Sequence, residues 1–276
     1  MGVCETGYAK INLALHVRRR DGDGFHDIET LFAFAEDGDV LELLDRPGMV
    51  LAGPFASALG GESDNLVLRA ADRFAAHYGR GATFGFVLDK RLPVASGIGG
   101  GSADAGAALR LLARECGVST DDPALVAIAA GLGADVPACL RSLPCRGSGR
   151  GDRLEPIADA PTGLPLLLVN PNVPLATGPV FAGWDGADRG ALASGDPIAA
   201  ARVGRNDLEA PAIALQPVIG EVLALLHAQP GSSLVRMSGS GATCFALFDD
   251  MGARDAANRA VAAAQPGWWR LATRLR

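Results

Sequence analysis

The residues best suited to holding a phosphate form the densest run of glycine in the chain, Gly97-Ile98-Gly99-Gly100-Gly101-Ser102. A strand-like segment and Pro93 precede the run, and a helical apolar stripe follows it directly. Strand, glycine turn and helix together bind anions. Glycine lets the backbone approach closely, its N–H groups point inward, and the helix N-terminus adds partial positive charge. Two better-known loops are excluded: no lysine follows the glycines as the Walker pattern requires, and Ser102 stands where the dinucleotide pattern needs its last glycine. Ser102-Ala103-Asp104 at the helix entry offers a hydroxyl and a carboxylate where a magnesium-bound phosphate would sit. The plain alternative is a tight structural turn.

The cationic candidates are unusually few. Of the 25 basic residues only Lys10 and Lys90 are lysine, and a lysine kept in an arginine-biased chain suits a compact ammonium rather than a planar guanidinium. Residues 8–17 alternate, with Ala9, Ile11, Leu13, Leu15 and Val17 on one face, which predicts a half-buried strand. Lys10 and Asn12 then project side by side from the other face. The acid candidate is Asp135, in Gly133-Ala134-Asp135-Val136-Pro137, at the start of a short helix whose dipole favours a carboxylate. Read alone, it is an ordinary acid at a helix N-terminus.

Around these residues the chain predicts mixed α and β structure. A turn over 18–24 leads to Phe25-His26, and a second strand is expected near 39–44. Asp64 reads as the cap of a helix whose apolar spacing (Val67, Ala70, Ala71, Phe74, Tyr78) ends at Gly79. A strand over 83–88 precedes the glycine loop, and the helix after it ends at Gly117. Gly106 inside that helix costs roughly 0.5–1 kcal/mol relative to alanine and has no evident purpose in the sequence. Asp122-Pro123 opens another helix, and 146–152 forms a hairpin or loop. Beyond it come strands at 164–169, 234–237 and 243–248 and helices at 217–229 and 253–264. The change of pattern places a domain boundary near residue 155, giving domains 1–155 and 156–276.

Composition sets the outer limits. The 276 residues are 49% hydrophobic and 20% charged, which suits a chain with a sizeable core rather than long disorder. The net charge of −6 argues against general binding to a nucleic-acid backbone. Five cysteines form no C-x-x-C pair, which fits a reducing compartment. The uncharged run 160–184 is broken by prolines and predicts no membrane helix. Residues 1–20 lack the apolar core of a signal peptide, and Met1-Gly2 with Thr6 matches the myristoylation pattern as a chance match would. A cytoplasmic location is the expectation. His16, His77 and His227 stand at no metal-ligand spacing and read as structural or surface residues. The sequence does not speak to oligomeric state.

The segment Pro93-Val94-Ala95-Ser96-Gly97-Ile98-Gly99-Gly100-Gly101-Ser102-Ala103 resembles the second motif of the small-molecule kinases named for galactose, homoserine, mevalonate and phosphomevalonate. Ala9-Lys10-Ile11-Asn12-Leu13 is similar to their first motif, and Arg236-Met237-Ser238-Gly239-Ser240-Gly241-Ala242-Thr243 to their third. Gly24-Phe25-His26, Gly133 to Pro137 and Asn206-Asp207-Leu208-Glu209 narrow the likeness to members acting on a cytidine diphosphate-linked alcohol.

The resemblance implies an α+β fold of two domains with the active site in the cleft. The N-terminal domain would be the ribosomal-protein-S5-like ATP-binding one, and the C-terminal domain a ferredoxin-like α/β one. It also implies magnesium-assisted transfer of the ATP γ-phosphoryl group to the 2-hydroxyl of a methylerythritol moiety, a step of non-mevalonate isoprenoid synthesis. By position, Lys10 holds the acceptor hydroxyl and offsets developing charge, Asp135 is the general base, and residues 93–103 cradle the triphosphate. Lys90 and Asn65 border adenine and ribose, with a strand-end charge and an N-cap neighbour as the respective alternatives. Asn12, Phe25, His26 and Phe181 meet the cytidine substrate. No protein metal ligand is implied. Two departures stand out: Phe25 where tyrosine is usual, and Ala103 where a second serine is. The rival readings are a sister kinase for homoserine or a mevalonate-type alcohol, and a non-catalytic nucleotide-binding module.

Overall fold

The computed structural model describes residues 3–22, 24–59, 65–80, 84–158 and 160–276. Gly2 of the N-terminal pattern, Asp64 as a cap and Thr83 as a strand start lie outside them. In chain order the strands are β1 (Cys4–Arg20), β2 (His26–Leu44), β3 (Gly48–Ala52), β4 (Gly85–Asp89), β5 (Cys145–Gly149), β6 (Arg153–Pro156), β7 (Pro165–Asn170), β8 (Ser232–Met237), β9 (Cys244–Phe248) and β10 (Trp269–Arg274). The helices are α1 (Leu66–Tyr78), α2 (Gly100–Cys116), α3 (Pro123–Leu132), α4 (Val136–Arg141), α5 (Thr177–Ala182), α6 (Pro197–Val203), α7 (Glu209–Leu215), α8 (Val218–His227) and α9 (Met251–Ala264).

Two compact units emerge. The first comprises Met1–Lys10, Asp37–Val94 and Gly99–Ser142; the second comprises Ile11–Glu36, Ala95–Ile98 and Leu143–Arg276. In the first unit β3 runs parallel to β4, and β4 pairs antiparallel with the later half of β2, Val40 facing Asp89 and Leu44 facing Gly85. Helices α1 to α4 close a core that includes Leu41, Phe74, Phe86, Leu109 and Leu125. The local signals for these helices are explicit. Asn65 Oδ1 accepts the Val67 N–H to cap α1, Asp122 caps α3 ahead of Pro123, and Gly79 and Gly117 end α1 and α2 in the left-handed region.

Gly106 now has a physical role. A Cβ there would lie 2.7 Å from the Cys139 carbonyl carbon, so glycine lets α2 and α4 approach backbone to backbone.

In the second unit the earlier half of β2 pairs with β5, Ile28 facing Gly149, and β5 turns back into β6. A separate antiparallel sheet runs β10-β7-β9-β8, and its apolar face, including Val169, Ala246 and Phe248, shares a core with Ile219 and Val222 of α8 and Val261 of α9.

The structure corrects several sequence expectations. β1 is buried on both faces, not half-buried, because Lys10, Asn12 and His16 each find polar partners under cover: all three are 2–3% exposed. His16 Nδ1 reaches the Gly190 carbonyl at 3.1 Å and its Nε2 accepts the Arg205 N–H at 3.2 Å, a structural role. β2 is 19 residues long and starts at His26, since Leu31–Ala35 is a continuous buried apolar run with no alternation to read. β3, α5, α6, α7 and β10 were not foreseen.

Candidate active site

In the first unit the glycine loop meets an ion pair. The chain leaves β4 at Asp89, passes Pro93, and enters α2 through Gly99, whose φ of 62° is a left-handed conformation that glycine adopts without strain. No side chain caps α2 and no acid occupies its first turn, so its leading N–H groups and dipole remain available to an anion. A Cβ on Gly99 would stand 2.9 Å from Lys10 Cε, which places the lysine stem directly against the loop. Lys10 Nζ lies 3.2 Å from Asp135 Oδ2; the lysine side chain is 4% exposed and that of Asp135 is 37% exposed. Asp135 occupies the N-cap position of α4, but its side chain makes no capping hydrogen bond, which leaves the carboxylate turned toward the lysine. An ammonium and a reachable carboxylate beside an anion-binding loop suit phosphoryl transfer, which asks for charge neutralisation and a late proton acceptor.

Lys90 is different, because its side chain is sealed inside the unit. Its side chain is 1% exposed and Nζ donates to Asp39 Oδ2 at 2.5 Å and to Asp104 Oδ2 at 2.7 Å. Burial pulls its pKa down, but the Asp104 and Asp39 carboxylates outweigh burial and leave it raised. Asp104, offered by the sequence as a group near magnesium, is likewise turned inward: burial pushes its carboxyl up to about 8, against the opposing pull of Lys90. Its Oδ1 is buried without a hydrogen-bond partner among the described residues. Asn65 caps α1, its Oδ1 engaged at 2.8 Å by the Val67 N–H.

The second unit carries the aromatic residues. Antiparallel pairing of β2 with β5 sets the 149–152 hairpin tip beside the start of β2, and the Arg150 guanidinium lies over the Phe25 ring at 3.7 Å from its centroid. Phe25 is 53% exposed, whereas His26 is buried. The His26 ring packs against Phe181 with centroids 5.0 Å apart and against Trp184 edge-on at 5.8 Å. Burial and the nearby Arg20 lower the His26 pKa, so the ring is neutral at pH 7. Arg20 Nε donates to His26 Nε2 at 3.3 Å, which assigns the proton to Nδ1 as a donor. Asn12 is anchored: its Nδ2 donates to Thr30 Oγ1 at 2.8 Å and its backbone N–H to Ser238 Oγ at 3.1 Å. Ser238 in turn donates to the Gly97 carbonyl at 2.9 Å, and Asn206 Nδ2 holds the Met237 and Gly239 carbonyls, each at 2.8 Å. Trp184, Arg20, Arg150 and Asp39 were missed from sequence, because no spacing rule pairs residues so far apart.

Among the described residues no group of three or more His, Cys, Asp or Glu could hold a metal ion. No helix there is long and apolar enough to cross a membrane.

A glycine loop opening a helix beside a lysine–carboxylate pair has the parts that phosphoryl transfer asks of a protein. The GHMP kinases N terminal domain matches residues 65–142, and the GHMP kinases C terminal domain matches residues 189–266. A 4-diphosphocytidyl-2-C-methyl-D-erythritol kinase of Rhizorhabdus wittichii is 66% identical, covering 99% of this chain and 94% of its own. One of Novosphingobium aromaticivorans is 52% identical, covering all of this chain and 94% of its own. Among solved structures, a 4-(cytidine 5'-diphospho)-2C-methyl-D-erythritol kinase superposes with a TM-score of 0.80 at 32% identity, covering 99% of each chain. A homoserine kinase of Cytophaga hutchinsonii, at 17% identity and a TM-score of 0.72 over 98% of this chain and 93% of its own, shares the fold. The chain belongs to the GHMP kinase family and is an ATP-dependent small-molecule kinase with that family's two-domain α+β fold. Within the family it is similar over its whole length to the 4-diphosphocytidyl-2-C-methyl-D-erythritol kinases.

Proposed function

We propose that the chain transfers the γ-phosphoryl group of ATP to the 2-hydroxyl of 4-diphosphocytidyl-2-C-methyl-D-erythritol, with Lys10 and Asp135 at the reacting hydroxyl. The observation that carries this reading is the Lys10–Asp135 pair set against the glycine loop, 3.2 Å between charged atoms with the carboxylate within reach of solvent. Asp135 takes the hydroxyl proton. Strong basicity is not required of it, because in a loose transition state the proton leaves late. Lys10 orients the hydroxyl and offsets charge on the transferring group. Residues 93–103 hold the triphosphate through backbone N–H groups and the Ser102 hydroxyl.

Magnesium would enter with the triphosphate and lower its charge. With Asp104 turned inward, Ser102 and Asp135 are the residues on hand for it. Phe25 and Phe181 offer faces to a pyrimidine, and His26 offers an Nδ1 donor to its polar edge. Asn12, fixed by Thr30, borders the substrate. The reaction is taken to run in the cytoplasm, where ATP is supplied and the five cysteines stay as thiols.

The test is ATP consumption with the cytidine diphosphate-linked alcohol, homoserine and mevalonate offered separately. Turnover with the first alone is expected. Preference for either of the others would make the chain a sister kinase, and ATP binding without turnover on any would make it a non-catalytic module.

A further inference from the structure

We propose that Asp39, Lys90 and Asp104 form a buried positioning cluster that sets the nucleotide loop from beneath without touching the nucleotide. The inference rests on the reading that this loop binds ATP.

Three segments meet at one ammonium. Asp39, on β2 and 0% exposed, uses Oδ1 to accept the N–H groups of Arg91 at 2.6 Å and Leu92 at 2.8 Å, the two residues just ahead of Pro93. Its Oδ2 accepts from Lys90 Nζ, which also donates to Asp104 Oδ2 on α2. The entry to the loop is thus tied to β2 through Asp39, and the helix that leaves the loop is tied to it through the Lys90 side chain. The contact with the loop itself is direct: a Cβ on Gly100 would lie 3.1 Å from Lys90 Nζ, so the first residue of α2 rests on the ammonium.

The cluster acts through geometry and not as a phosphate-binding charge. Two carboxyl groups surround the one ammonium, and none of the three side chains is more than 4% exposed, so Nζ has no path to an anion in the loop. Asp39 is the hub, since it alone holds both the loop entry and the lysine. Asp104 needs only an acceptor for Lys90, which an amide also supplies.

The experiment is steady-state kinetics of the full chain with ATP and the cytidine diphosphate-linked acceptor varied in turn, comparing wild type, Asp39→Asn and Asp104→Asn. For Asp39→Asn the KM for ATP is expected to rise on the order of tenfold, while the KM for the acceptor stays within about twofold. For Asp104→Asn both stay within about twofold. Asp39→Glu, which keeps the charge but shifts the carboxylate by one methylene, serves if the asparagine variant does not fold, with the same split expected. An unchanged KM for ATP, or an equal rise in both constants, overturns the proposal. So does failure of both Asp39 variants to fold, which would assign the cluster to unit stability alone. A wild-type chain whose rate shows no saturable dependence on ATP in the same kinetics would sink the reading of the loop instead.

Discussion

The two lysines of this chain occupy one structural unit and both face carboxylates, yet their settings differ in access. Lys10 meets one carboxylate at 3.2 Å, and that carboxylate is 37% exposed. Lys90 meets two carboxyl groups, at 2.5 and 2.7 Å, and all three side chains are sealed at 4% exposure or less. A group that must exchange a proton or take a new partner has to be reachable from the substrate side. A group that fixes backbone has to be unable to let go. Ion type and distance alone do not separate these roles; burial does. Gly106 links the two sites, because it sets the approach of α2, which carries Asp104, to α4, which Asp135 caps.

The sharpest way to break the comparison is to exchange its outcomes. Asp135→Ala and Lys10→Ala are each expected to lower kcat by on the order of 10²–10⁴-fold with little change in thermal midpoint. Turnover of Asp135→Ala within tenfold of wild type would remove Asp135 from the base role. Lys90→Met should do the reverse. It strands two buried carboxyl groups and is expected to cost about 3–5 kcal/mol in denaturant unfolding; a loss below about 1 kcal/mol would show that the sealed cluster holds little. Gly106→Ala comes next, at about 1–3 kcal/mol destabilising in the same assay, since the clash between α2 and α4 outweighs a helix-propensity gain of about 1 kcal/mol. A stabilised Gly106→Ala would mean the helices have room to spare.

The sequence revealed most where the controlling interaction is local. Asp122-Pro123, Gly79 and Gly117 bounded helices correctly because a cap or a left-handed residue acts within one turn. β2 escaped because its run Leu31–Ala35 is apolar throughout, and α5 to α7 because they are short pieces set among prolines and glycines. The site divides the same way. The glycine loop could be read as an anion cradle from its own residues, whereas Lys10 and Asp135 come together only in the folded unit and were paired through family motifs. The partners of Lys90 could not be read either, because they lie 51 residues before it and 14 after it, and no periodicity joins them. Gly106 looked like a defect in its helix because the Cys139 backbone it accommodates is on another helix.

The smallest expected effect separates the two sites by pH. Burial holds the Asp104 carboxyl up at about 8 in the folded chain, above the 3.8 of an ordinary aspartate. Between those values the folded state binds a proton that the unfolded state has released. The stability this group contributes is therefore full below about pH 4 and is lost as pH rises through about 8, by no more than about 1.4 kcal/mol per pH unit. Asp104→Asn carries the neutral amide at every pH and escapes that loss. Its unfolding free energy relative to wild type should grow from pH 5 to 8 and hold level from 8 to 9.5. Denaturant melts at half-unit steps would check this. A difference that is flat across the range would mean that Asp104 is ionised in the folded chain and that the cluster is a full double ion pair. In that case what separates the two lysines would be the burial of their partners alone.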